Sequence, residues 1–258
     1  MINLLKDTEI KYVRCYSQEK EYKNTIRFWD DNFKNLYASN LTVLIENLDL
    51  DKTVKILIDE IKLNKKSNKR FLNFEVNKEI SREELREFNI RPSRVDRFDY
   101  MVINTNEKES IPYNNDIEIR KVTSNKEYED LININIKDNI KSLGYGYART
   151  RILRKVSVYK DEKNKLTAFL IYKNNIPIGS CELFINNNVA KLEDIGILRE
   201  YRGKGFGSFT LEYMIKMCGL NNIEYFYVIT EKLGCAKKVY ERIGFKKVGD
   251  KTQIIFDF

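Results

Sequence analysis

All eleven glycines of this 258-residue chain lie at position 144 or later. Glycine is the residue that lets a backbone approach a bound phosphate closely or turn through positive φ. A glycine-built phosphate cradle is therefore excluded from the first 143 residues, and the two halves of the chain cannot do the same job. Histidine is absent altogether. That excludes His-ligated zinc, a Ser-His-Asp triad and any histidine general base. Proton transfer must fall to carboxylates, tyrosine, lysine, cysteine or backbone amides.

Apolar residues make up 42% of the chain, enough for a buried core. No apolar run approaches the ~18 residues of a membrane span, and the N-terminus, Met-Ile-Asn-Leu-Leu-Lys-Asp, lacks a secretory apolar core. The expectation is a cytoplasmic protein with no membrane partner. The net charge is +8. Its basic residues form no dense block, so we expect no nucleic-acid partner. Cys15, Cys181, Cys218 and Cys235 form no CxxC pair and are expected to be free thiols. No metal site is expected.

The polar stretch from Asn104 to Asp116, with one proline, predicts a boundary. It divides the chain into an N-terminal α/β domain, residues 1–110, and a second domain, residues 116–258. The second reads as a strand at Ile117–Val122, then helix from Asn125 to Tyr159 broken at Leu143-Gly-Tyr-Gly-Tyr147. Three strands follow, at Leu166–Tyr172, Ile178–Phe184 and Ala190–Leu198. A helix from Gly205 to Met217 places Leu211, Met214, Ile215 and Cys218 on one apolar stripe. A buried strand at Tyr225–Thr230 and a helix at Leu233–Ile243 come next. Gly244 suits the left-handed cap that ends this helix.

Chemistry concentrates in Asp194-Ile-Gly-Ile-Leu-Arg-Glu-Tyr-Arg-Gly-Lys-Gly-Phe-Gly-Ser208. A strand enters a turn with glycines at 203, 205 and 207, and a helix follows at once. Amides in such a turn converge on one anion, and the helix N-terminus adds partial positive charge. Arg202 and Lys204 add full charges, so the ligand expected is a pyrophosphate. The Walker pattern GxxxxGK[ST] is absent, and GxGxxG fails at Ser208 and Thr210. What remains is Arg-x-x-Gly-x-Gly, carried by Arg202, Gly205 and Gly207.

This pattern resembles the coenzyme A loop of the GNAT-superfamily N-acetyltransferases, here Ile197-Leu-Arg-Glu-Tyr-Arg-Gly-Lys-Gly-Phe-Gly207. Arg199 stands where the family usually has proline. The family's second signature, Ala-x-x-x-Tyr-x-x-x-Gly-Phe, is present as Ala236 to Phe245. Leu233 replaces a frequent asparagine three residues before the alanine. The resemblance covers about Asp116 to Phe258. It implies a mixed, mostly antiparallel sheet flanked by helices, with a splayed gap between the strand ending at Ile197 and the strand around Val228. It further implies acetyl-CoA as acyl donor, its pantetheine arm near Ile197 and Leu198 and its pyrophosphate on Arg202, Gly203, Lys204, Gly205, Phe206, Gly207 and Ser208. The implied reaction is direct attack of a primary amine on the thioester, with Tyr240 giving a proton to the departing thiolate. The acceptor is a small-molecule or protein amine. It is expected to meet the connection of the first two helices of this half, at Tyr145, Tyr147 and Arg149. The other reading is an acyl-CoA-binding sensor without turnover.

The general base has several candidates. Glu193 and Asp194 lie on the strand leading to the loop and face opposite ways. Glu193 shares parity with Ile195 and Ile197 and is the first choice, although a bulge would reverse that parity. Glu231 and a water chain to bulk solvent are the others.

A shift of 154 lays the first half on the second. Phe71–Asn77 falls on Tyr225–Glu231, and Asn40–Ile45 on Asp194–Arg199. The helix bearing Val54, Leu57 and Ile61 falls on the loop helix, Ser81–Phe88 near the Tyr240 helix, and Asp99–Ile103 near the last strand. Leu48-Asp-Leu-Asp-Lys-Thr53 then stands in place of the glycine loop, with two aspartates that would repel phosphate. This predicts a degenerate half of the same fold that binds no coenzyme; an unrelated α/β fold is the other reading. Trp29 is expected in the core or lining the acceptor surface.

Overall fold

The structure, a computed structural model, describes residues 1–67, 69–107, 116–161 and 163–258. Most of the predicted boundary at 104–116 lies outside them. The first half runs α1 (Ile2–Arg14), β1 (Gln18–Glu21), β2 (Thr25–Trp29), β3 (Thr42–Leu44), α2 (Leu50–Lys66), β4 (Phe71–Val76), α3 (Arg82–Glu87) and β5 (Arg94–Asn104). The second runs β6 (Ile117–Lys121), α4 (Asn125–Leu143), α5 (Tyr145–Tyr159), β7 (Leu166–Lys173), β8 (Ile176–Asn186) and β9 (Val189–Ile197). It closes with α6 (Phe206–Leu220), β10 (Tyr225–Glu231), α7 (Cys235–Ile243) and β11 (Lys246–Asp257). Gly144, at φ 74°, separates α4 from α5 where the glycine-tyrosine break was expected. Leu233 falls outside the last helix, which begins at Cys235, and is 89% exposed. Gly234 turns back onto the Glu231 carbonyl and lifts Leu233 off the apolar stripe.

The strands form one mixed sheet of eleven, in the order β1-β2-β3-β4-β11-β5-β10-β9-β8-β7-β6. Its centre explains the echo between the halves. The last strand of each half sits in the sheet of the other: β11 lies between β4 and β5, and β5 lies between β11 and β10. In the antiparallel β5/β11 pair, Arg97 faces Thr252 and Phe98 faces Lys251. The shift of 154 carries Arg97 to position 251 and Phe98 to 252, so these four residues straddle a local two-fold axis. The division at residues 1–110 and 116–258 follows the chain, whereas the sheet runs through both halves.

Each half keeps its own core. Leu44, Val54, Leu57, Phe74 and Leu85 pack together in the first, and Leu192, Leu211, Met214, Ile215 and Phe226 in the second. Helix α1 crosses between them: Leu5 is fully buried against Tyr100 of β5, Val189 of β9 and Tyr227 of β10. Among the described residues no helix is long and apolar enough to cross a membrane, and the four cysteines are free.

Candidate active site

The glycine turn leaves a row of backbone amides open, a cradle into which an anion would fit. After the turn at Arg199–Tyr201, Gly203 and Gly205 take φ of 75° and 83°. Gly205 is the N-cap of α6 and has no side chain to cap it. Among the described residues the amides from Gly203 to Ser208 donate no backbone hydrogen bond. The corresponding helix of the first half is closed: Asp49 caps α2 with its own carboxylate, accepting from the Lys52 amide at 2.8 Å. Lys78 covers the same turn, donating to the Leu48 carbonyl at 2.7 Å. One helix end is satisfied by the protein and the other is left for a ligand.

The cradle opens on a groove of about 470 Å³, lined by Ile197, Gly205, Gly207, Ser208, Tyr240 and Arg242 among others. Arg202 borders it, yet its guanidinium holds the loop together, donating from Nε to the Ile197 carbonyl at 2.7 Å and from Nη2 to Asp138 at 2.5 Å. Two side chains of the predicted set point elsewhere. Leu198 turns into the core beside Leu131 and Ile152, and its amide donates to the Ile178 carbonyl at 2.8 Å. Lys204 reaches back to the Glu200 carbonyl and does not line the groove. Arg242 was missed. It stands in α7 two residues beyond Tyr240 and donates to the Ser208 hydroxyl at 3.1 Å. Only the packing of α7 against α6 shows that this surface-type cation meets the cradle.

Beside the groove the sheet splays. Parallel β9 and β10 pair only from Val189–Lys191 with Tyr225–Tyr227 and then part. The gap, about 330 Å³, is bordered by Glu193, Ile195, Val228, Glu231, Ala236 and Tyr240. In the first half β3 and β4 pair at Thr42–Phe74 and Val43–Glu75. By the shift of 154 these correspond to Gly196–Val228 and Ile197–Ile229, where the second half is open. The first half has neither the cradle nor the gap.

A bulge shapes the β9 side of the gap. Opposite Cys181, β9 offers two residues, Asp194 and Ile195, and Asp194 takes φ of 51°. The bulge reverses the parity expected from the sequence. Ile195 packs with the cluster of Leu192, while Glu193 turns to the other face. Asp194 is engaged by Arg151 and Lys155, both at 2.5 Å. Its burial alone would raise its pKa, but these two cations outweigh it and hold the carboxyl well below the usual range. A carboxylate so paired is a poor base. Among the described residues Glu193 is left with one ion-pair partner, Lys191 at 2.9 Å, itself shared with Glu9.

Tyr240 is buried against Phe245 and borders both groove and gap. Burial, with the Glu193 charge behind it, pushes its phenol up to about 12. It therefore stays protonated at every physiological pH.

Glu193 also borders a third space, an inner chamber of about 260 Å³. Tyr12, Leu36, Phe98, Tyr147 and Arg151 line it, so both halves build its walls. Of the predicted acceptor residues only Tyr147 faces this chamber. Tyr145 is 58% exposed and Arg149 is exposed, because they fall on the outer side of α5. Arg151, Arg154 and Lys155 take the inner side. Trp29 is half-buried and borders a separate surface cavity of the first half.

Groove, gap and chamber thus share residues in sequence: Tyr240 joins the first two and Glu193 the last two. Comparison with known proteins fits this layout. The sequence model of the acetyltransferase (GNAT) family matches residues 132–245. The matched stretch lies within the second half and spans both motifs that carried the resemblance. A curated relative, the uncharacterised N-acetyltransferase CgeE of Bacillus subtilis, is 27% identical over 121 residues. That match covers 45% of this chain and 46% of the relative, so the chain spans about half the length of the relative it matches. The solved structure of a GCN5-related N-acetyltransferase from Kribbella flavida superposes with TM-score 0.70 at 14% identity, covering 98% of this chain and 94% of that one. A tandem GNAT protein from the clavulanic acid biosynthesis pathway gives TM-score 0.56 at 9% identity, covering 98% and 95%. The fold across both halves is that of these N-acetyltransferase structures.

Proposed function

We propose that this protein is an acyltransferase that moves an acetyl group from acetyl-CoA to a primary amine by direct attack in a ternary complex. The observation that carries this reading is the series of adjoining spaces, which share lining residues, from the open amides at Gly203–Ser208, past Tyr240, to Glu193 and the chamber beside it. A pure acyl-CoA sensor has no use for a buried phenol at the thioester end or for a second chamber behind it. Catalysis falls to residues 116–258. The first half, residues 1–110, is non-catalytic, since its helix end is self-capped and its strands are zipped. The proposed location is the cytoplasm.

The residues divide the work. Amides of Gly203 to Ser208, with Arg242, hold the diphosphate, and Arg202 keeps the loop in register with Ile197. Ile197 and Phe206 border the path of the thioester arm. Glu193 takes a proton from the amine, which is charged near neutral pH. Tyr240 gives its proton to the thiolate as it leaves. The chain contributes no nucleophile, in keeping with its lack of histidine.

The test is thiol release from acetyl-CoA across a panel of small amines and peptides, corrected for hydrolysis, alongside calorimetric titration with coenzyme A. Binding with amine-dependent thiol release is expected. Binding without release for any amine would favour the sensor, and no binding would remove both readings.

A further inference from the structure

The inner chamber carries information about the acceptor, and the inference from it rests on the acyl-transfer reading above. Five cations face the chamber: Arg151, Arg154, Lys155, Lys191 and Lys251. Every one is already ion-paired. Arg151 and Lys155 hold Asp194, Lys155 also holds Glu182, and Arg154 holds Asp30 at 2.5 Å. The other two belong to an alternating chain, Glu193–Lys191–Glu9–Lys251–Glu75, with contacts of 2.7 to 3.2 Å. This chain passes from β9 through α1 and β11 to β4, so carboxylates of the first half help set the charge at the catalytic gap. The walls and their direct partners therefore hold five cations against six carboxylates, one negative charge in surplus. The surplus belongs to the chain of three glutamates and two lysines, whose end at the gap is Glu193.

We propose that the acceptor is a compact primary amine with one positive charge, an apolar or aromatic body and no anionic group. An ammonium cancels the surplus and is delivered to Glu193, the group that deprotonates it. A carboxylate or phosphate on the acceptor would have to take a wall cation from its present partner and leave that partner buried and unpaired. The volume favours a compact body: about 260 Å³ lies below the ~300–1,000 Å³ of sites for drug-sized ligands. Leu36, Phe98 and Ile229 supply apolar wall, and Tyr12 and Tyr147 aromatic wall.

The experiment compares matched pairs of amines that differ only in a carboxylate, tyramine with tyrosine and isoamylamine with leucine, in steady-state acetylation by the full chain. The decarboxylated member is expected to have the higher kcat/KM by at least tenfold. Glu75→Gln removes the surplus and Lys251→Met doubles it. The amine KM should rise roughly tenfold in the first and fall by a similar factor in the second, which is what one unit charge does over about 12 Å at an effective dielectric of about 20. The double variant should return to within about threefold of the native value. If either single variant fails to fold, the matched pairs on the native protein decide. Equal or better acetylation of the carboxylated members, or of neither member, overturns the proposal. If coenzyme A itself does not bind, the acyl-transfer reading falls first. If it binds and amino acids are the better acceptors, only this inference falls.

Discussion

Gly207→Ala separates what the glycine turn does for the fold from what it does for a ligand. Gly207 lies in the first turn of α6, and a Cβ there would meet only the Ile197 Cγ1 atom, at 3.9 Å. That is ordinary contact, so the protein accommodates the methyl without movement. Replacing glycine by alanine at a helical position is worth up to about 1 kcal/mol. For a chain of this size that raises Tm by at most about 2–4 °C. The methyl, however, projects beside the groove where a phosphate must approach the amides of Gly207 and Ser208. Loss of even one charge-assisted hydrogen bond, about 1.5–3 kcal/mol, weakens coenzyme A binding by roughly 10–100-fold. Thermal melting and calorimetric titration with coenzyme A measure the two effects on one sample. Affinity unchanged in a variant of native or higher Tm would show that the diphosphate does not sit on these amides, and the cradle assignment would be wrong.

Two further outcomes are expected. Tyr240→Phe should lower kcat by about 100-fold or more while leaving coenzyme A affinity within about twofold; because the phenol is pushed up to about 12, the native enzyme should show no Tyr240-dependent decline in kcat between about pH 7 and 10. An unchanged kcat in the variant would remove Tyr240 as the acid. Glu9 bears on acid stability: burial raises its pKa, but Lys191 and Lys251 outweigh this and bring it to about 2 from 4.5. A depressed carboxylate contributes stability above its unfolded pKa and loses it as pH falls through the folded value, so about 3 kcal/mol should disappear between about pH 5 and 2. Urea unfolding of the native protein and Glu9→Gln across that range should converge as pH falls, and parallel curves would show that its ion pairs contribute nothing.

Local pattern accounts for how much of this was legible. The stripe of Leu211, Met214, Ile215 and Cys218, the break at Gly144 and the glycines at 203, 205 and 207 each depend on residues near in sequence. The elements they predict appear in place. The absence of glycine before position 144 likewise determined which half could form a glycine-built turn of this kind. Even the correspondence of the halves at a shift of 154 was readable, because apolar periodicity survives where residue identity does not.

What only the tertiary structure decided is which side chains meet. Strand exchange between β5 and β11 has no local signature, yet it makes one sheet of two halves and lets both line the chamber. The bulge at Asp194 sends Glu193 to the face opposite the one its spacing implied, since a single added residue inverts the side-chain alternation that follows. Arg242 and Ser208 are far apart along the chain and are brought together only when α7 packs on α6. The choice of Arg151 over Arg149 as an inward cation turns on two residues of helix, about 200° of rotation, which the chain resolves only by burying one face of α5. The sequence by itself determined where an anion can be gripped. The fold determined what stands across from it, because contacts between distant segments depend on packing rather than on the order of residues.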